Sequence, residues 1–314
     1  MDTSELLYKN YSSKISFSYF GNYGLTSEFF NQHIQNSIKD LGPRFNEDLN
    51  FQLPIAKIFN DIAKDDYFLK RFLNIIDNWI TEKGYRKLKD NIQLEEIEKE
   101  YESVKQNTIK WIKTLENSVT EKIDIKCLLE SLEKLNNCID IKSQEVYKLR
   151  IEEEEKNKKI KQDHTYRTPY EQETSRLREI KQANNDFIDD ISNKVNVNLA
   201  NSPYLIIKGD AGNGKSHLLG DIAKTRIKRN LPTLLLLGQQ FNNSKDIWEN
   251  IKSNLSVNCT NKQLLETLNK IGKQVGSRVL FLVDAINEGA GADLWNPRIA
   301  SFIKIGRASC RERV

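Results

Sequence analysis

Residues Gly209–Ser216 read GDAGNGKS, which fits the spacing G-x-x-x-x-G-K-[ST]. A loop of this kind can hold a phosphate with its main chain. Gly209, Gly212 and Gly214 let the backbone curl with its N–H groups turned inward, in conformations that a side chain obstructs. Asp210, Ala211 and Asn213 fill the remaining positions of the cradle. Lys215 is expected to reach the β- and γ-phosphates and the Ser216 hydroxyl to ligate Mg2+, while the positive end of the next helix faces the anion. His217 joins the binding set as the first exposed or half-buried position of that helix. Farther on, Arg278–Asp284 is RVLFLVD, an unbroken apolar run that ends in a carboxylate. An aspartate at the end of a buried strand can hold the water shell of the ion at Ser216. The expected ligand is therefore Mg-ATP, with Ser216 and Asp284 on the metal side and Lys215 and Asp284 in the catalytic set. Adenine against guanine stays open at this stage.

Such residues act only when a strand, a loop and a helix set them. Tyr204–Lys208 (YLIIK) predicts a short buried strand before the loop, and Leu218, Leu219, Ile222 and Ile227 recur at helical spacing after it. Pro232 opens Thr233–Gly238 (TLLLLG), a second buried strand, and helices are expected over 244–254 and 261–272. The strand ending at Asp284 follows. This alternation predicts an α/β P-loop NTPase core with a parallel sheet over residues 170–303. A glycine turn or an ordinary core strand also matches either run taken singly; the flanking elements and the pairing of the two runs favour the phosphate site.

The upstream residues read as mainly α-helical, a domain over 26–165. Residues 1–25 form an N-terminal arm in which Ile15, Phe17 and Tyr19 alternate with polar residues. From Thr26, Phe30, Ile34, Ile38 and Leu41 make a stripe that stops at Gly42–Pro43. Helices are expected after Pro54 (Ile55, Ile58, Phe59, Ile62) and from about Asp65 (Phe68, Phe72, Ile75, Trp79). Residues 92–119 and 125–139 predict two long amphipathic helices packed antiparallel. The charge run Glu152–Lys161 reads as a solvated helix, because its signs are interleaved and aromatics are missing. A helix over Tyr170–Asn193 presents Leu177, Ile180, Phe187 and Ile191 inward. Arg44, between Pro43 and Phe45, reads as a domain-interface contact and enters no site.

Lys304–Val314 matches no periodicity before it and agrees with the translation of a common sequencing-library adapter, so 304–314 is expected to be an artefact and the natural chain to continue past about Ile303. Three strands are visible, against the five or so of a typical sheet.

Composition excludes more than it selects. The 314 residues carry a net charge of +4, too slight to argue for nucleic acid, which stays an open partner. The four cysteines lack paired metal-ligand spacing. No apolar stretch approaches the roughly 18 residues of a membrane span, and no signal pattern opens the chain, so a cytoplasmic protein without a membrane partner is expected.

The runs Gly209–Leu218 (GDAGNGKSHL), Leu231–Phe241 (LPTLLLLGQQF) and Leu282–Gly289 (LVDAINEG) resemble the core of bacterial STAND NTPases of the antiviral Avs type, NACHT-like proteins with these Walker A and Walker B motifs. Asp40–Phe45 (DLGPRF) and Asn50–Ile55 (NFQLPI) resemble the helical region that precedes that core. The resemblance spans roughly 26–303. It implies an ATP-binding signalling switch in antiphage defence, which self-assembles on activation and takes a phage protein as trigger through a C-terminal region. Residues 1–25 are too short for the effector domain such proteins carry. Ala285 stands where fast ATP-driven motors place a glutamate. Glu288 resembles the second acidic position of STAND and NACHT proteins, which implies a catalytic part for Glu288, slow ATPase turnover and ATP acting as a latch. The alternative is an AAA-type motor or loader acting on DNA. A motor should carry Glu beside Asp284 and basic or aromatic strand-facing loops; Ala285 and the balanced charge count against it.

Overall fold

In a computed structural model of the chain, the described residues are 22–49, 55–80, 94–116, 119, 122–157, 170–194, 197–242, 245–288, 291–295 and 297–308. The expected N-terminal arm lies outside them except for its last residues, as do the NFQLPI run up to Pro54 and the breaker at 165–169. The chain separates into two units: residues 1–66, 119–121 and 199–314 form one, and residues 67–118 and 122–198 the other.

The first unit is α/β. Its core is β1 (Thr233–Leu237) paired in parallel with β2 (Leu280–Asp284), with Thr233 level with Leu280 and Leu237 level with Asp284. Both faces of this ribbon are covered, which is why both strands read as apolar runs instead of alternating ones. Leu235, Leu237, Leu280 and Leu282 face α1 (Ser27–Leu41), α2 (Ala56–Ala63) and α8 (Lys215–Lys228). Leu234 and Leu236 face α9 (Ile247–Asn254), α10 (Asn261–Val275) and α11 (Gly291–Trp295). Successive side chains of one strand thus build two cores, as a two-residue period dictates. The last helix of this unit, α12, covers Ile299–Ala308, so 304–308 continue helical where the sequence suggests no structure.

Two expectations are corrected here. The sequence suggests a strand over Tyr204–Lys208, but no ladder forms there; Tyr204, Leu205 and Ile206 are 44%, 38% and 52% exposed. A strand exists only by pairing, and among the described residues the sheet has two members, which pair with each other. The second correction concerns boundaries. Helices α1 and α2 do not belong with the helical domain expected over 26–165. Ser37 Oγ donates to the Leu235 carbonyl at 2.8 Å, and Phe59 and Ile62 join the core beneath β1 and β2. Conversely, the helix over Glu171–Lys194, expected to open the NTPase core, lies in the other unit.

That second unit is helical. It holds α3 (Asp66–Ile80, but for its first residue), α4 (Glu95–Glu116), α5 (Lys126–Asn157), α6 (Glu171–Lys194) and the start of the short α7 (Val197–Asn201). Helices α5 and α6 run antiparallel: Asn136 meets Asn185, and Asp140, one turn on, meets Lys181, one turn back. Trp79 is the centre of the packing, stacked 4.7 Å from Phe187 and edge-on to Tyr101 at 5.4 Å. Its indole N–H donates to Asn184 at 2.9 Å, which satisfies a fully buried amide. The stripes read from sequence (Phe68, Phe72, Ile75, Trp79; Leu177, Ile180, Phe187, Ile191) are the buried faces.

One buried titratable group ties α1 to the sheet. Burial holds the His33 imidazole down at about 4 from 6.5, and its Nε2 accepts the Leu235 N–H at 3.2 Å, a bond that needs the neutral ring. As pH falls from 6.5 toward 4 the unfolded chain takes up a proton that the folded chain refuses. Stability is therefore complete above this window and is lost within it, by about 2–3 kcal/mol at the acid end. Urea unfolding at pH 7 and near pH 4.5 should show that loss, and His33→Gln should remove this share of the pH dependence. An equal acid loss in the variant would assign it to other groups.

Candidate functional site

The loop before α8 has the backbone its glycines predict. Gly212 and Gly214 have φ of 84° and 72°, in the left-handed region that other residues avoid. Gly214 caps α8 without any side-chain hydrogen bond, so the helix N-terminus keeps its amides for another acceptor. The Lys215 ammonium folds back across the loop and donates to the carbonyls of Gly209 at 2.7 Å and Asp210 at 2.6 Å.

Asp284 ends β2, level with the last residue of β1. It is 4% exposed, and its Oδ2 has no hydrogen-bond partner among the described residues. The chain then turns sharply. Ala285 has φ 52°, an unusual strain for a non-glycine residue, and its carbonyl accepts the Glu288 N–H at 2.9 Å. Glu288 is half exposed beyond that turn. The start of that turn lies against Gly238, the residue after β1. A Cβ at Gly238 would lie 1.9 Å from the Ala285 carbonyl oxygen and 3.2 Å from that of Asp284, both backbone atoms that cannot swing away. Gly238→Ala is therefore expected to cost about 3 kcal/mol or more, through forced separation of the two strand ends. Chemical denaturation checks this; a loss below about 1 kcal/mol would show that the ends separate freely.

Most of the sequence-predicted residues line one cavity. Gly209, Ala211, Gly212, Gly214, Lys215 and Ser216 line one side of a cavity of about 880 Å3, and Asp284 and Glu288 line it from the β2 turn. His217 also touches it, but its ring packs 5.1 Å from Phe45 and its Nε2 lies 2.7 Å from the Asn46 carbonyl oxygen. Asp210 and Asn213 belong to the loop without lining the cavity. The apolar lining of the cavity includes Tyr204–Ile207 and the partly exposed Phe281 and Val283 of β2.

Arg44, given no site by sequence, is in it. From the turn after α1 its Nη1 donates to both Glu288 carboxylate oxygens at 3.3 and 3.2 Å and stands 3.8 Å from Asp284 Oδ2. The contact spans 244 positions of sequence, which no local periodicity encodes. Only the rigid GPRF turn hinted at a fixed role.

Chemically, the cavity offers the loop backbone, the Lys215 ammonium, the guanidinium groups of Arg44 and Arg278, the Ser216 hydroxyl and the carboxylates of Asp284 and Glu288. Among the described residues no three His, Cys, Asp or Glu side chains converge as a metal cage. The hard oxygen donors of Ser216 and Asp284 suit an ion that keeps water and borrows ligands from its substrate, as Mg2+ does. Searches among family models, curated proteins and solved structures find no match to the chain.

Among the described residues no helix is long and apolar enough to cross a membrane.

Proposed function

We propose that the α/β unit binds Mg-ATP and that the chain is a signalling switch ATPase of the STAND class. One observation carries this reading: most of the loop Gly209–Ser216 lines the same cavity as Asp284, whose buried Oδ2 accepts no hydrogen bond among the described residues. In this reading the loop amides and Lys215 bind the phosphates, and Ser216 and Asp284 hold Mg2+, which would neutralise charge on the β- and γ-phosphates. Glu288 is the catalytic carboxylate that orients water. Its pairing with Arg44 and the alanine beside Asp284 support slow hydrolysis, so that ATP serves as a latch more than a fuel. Antiphage defence, triggering by a phage protein and ATP-dependent self-assembly rest on the residue runs that resemble Avs-type proteins.

The test is calorimetric titration of the chain with ATP in Mg2+ and again in EDTA. We expect saturable binding that weakens at least about tenfold without the metal, and Asp284→Asn should erase that difference. Equal affinity in both buffers would overturn the metal assignment, and absence of saturable binding would overturn the nucleotide reading itself.

A further inference from the structure

Arg44 is fixed to the phosphate loop's own helix more firmly than a chance surface contact would be. The Gly42–Arg44 turn leads into Phe45, whose ring lies against Gly220 of α8; a Cβ there would come within 2.7 Å of it. The Asn46 carbonyl meets His217, and Glu47 pairs with Lys224 and, at 3.6 Å, with Lys228. Those lysines, Lys224 foremost through its hydrogen bond, hold the Glu47 carboxyl below its ordinary value. Residues 45–47 are thus fastened along most of α8, starting beside the loop. The guanidinium of Arg44 reaches from this base to the opposite wall, to Asp284 and Glu288.

We propose that Arg44 reads the terminal phosphate, and so lets the site tell a nucleoside triphosphate from a diphosphate. The inference rests on the phosphate-site reading above. Its physical basis is competition among fixed charges. Among the described residues the cation paired with Asp284 is Arg44, at a distance too long for a hydrogen bond. A divalent ion at Asp284 would repel the guanidinium from that carboxylate and leave it Glu288 alone. A γ-phosphate between the loop and Glu288 gives it a second anion, within reach of donors that are spare. Arg44 Nη2 makes no hydrogen bond among the described residues, and Nε has only a 3.5 Å contact with the Leu41 carbonyl. A planar, permanently charged fork can serve carboxylate and phosphate together, which a lysine cannot. A diphosphate offers no such group, so Arg44 would favour the triphosphate by about tenfold, the worth of one charge-assisted hydrogen bond.

The experiment measures fluorescent ATP and ADP affinities in Mg2+ for the whole chain and for Arg44→Ala, Arg44→Lys and Lys215→Ala. Arg44→Ala should weaken ATP about tenfold and ADP by less than about threefold, so the ATP-to-ADP preference collapses; Arg44→Lys, which keeps charge and bulk, should lose an intermediate part. An unchanged preference in both Arg44 variants overturns the proposal, and so does an equal loss of both nucleotides. Undiminished ATP binding by Lys215→Ala instead overturns the phosphate-loop reading, which keeps the two failures apart.

Discussion

Replacing Lys215 by alanine is expected to weaken Mg-ATP binding by about a hundredfold or more, while the melting temperature stays nearly unchanged. The side chain starts the half-buried first turn of α8, and among the described residues its ammonium bonds to the Gly209 and Asp210 carbonyls of its own loop. Little of the fold rests on it, so the loss should be one of binding. The size follows from removing a point charge that faces two or three phosphates in a partly enclosed cavity, about 3 kcal/mol by analogy with charge-assisted hydrogen bonds. A second effect adds to it. Without the ammonium, the Gly209 and Asp210 carbonyls present uncompensated negative ends to the ligand. Titration with fluorescent ATP, beside circular-dichroism melting, separates binding from folding. Wild-type affinity in the variant would mean that the loop is a structural turn.

Asp65→Ala is expected to lower the stability of the α/β unit by about 3–5 kcal/mol, the largest effect of any single side chain outside the apolar core. Asp65 is fully buried, 3.5 Å from the Arg226 guanidinium and 3.2 Å from that of Arg229. Arg226, itself 2% exposed, donates to the Thr233 hydroxyl at 2.9 Å, to Ser277 at 3.2 Å and to the Arg278 carbonyl at 3.0 Å. One guanidinium thereby joins the last turn of α8 to the start of β1 and the approach to β2. Removing the carboxylate leaves that cation buried without its counter-charge, which is the costly case. Replacing both partners by apolar residues, as in Asp65→Leu with Arg226→Met, should recover much of the loss. Urea unfolding of the three proteins checks it. A single variant within about 1 kcal/mol of wild type would show that water or another side chain takes the role of Asp65.

Resemblance apart, the amino-acid order alone was enough for the backbone shape of the glycine-rich loop, because there the constraints are local. Gly212, Gly214, Lys215 and Ser216 lie within a few residues of one another, and backbone sterics decide their shape. Helix faces were equally legible, since the 3.6-residue period that buries Phe68, Phe72, Ile75 and Trp79 is written along one segment. Local reading of the same kind found the apolar runs of β1 and β2, but apolar character is also what misled at Tyr204–Lys208. A strand is a relation between segments, and among the described residues that run joins no sheet.

What only the tertiary structure decided is which distant residues share a space. Arg44 meets Glu288, His33 meets Leu235, and Asp65 meets Arg226 because α1 and α2 pack on the sheet, although sequence grouped them with the helices that follow. Pairings between distant side chains have no period along a chain; they arise when separate segments exclude water from one another. The order of residues therefore determined the glycine-rich loop Gly209–Ser216, and packing determined that Asp284, Glu288 and Arg44 line the same cavity as it.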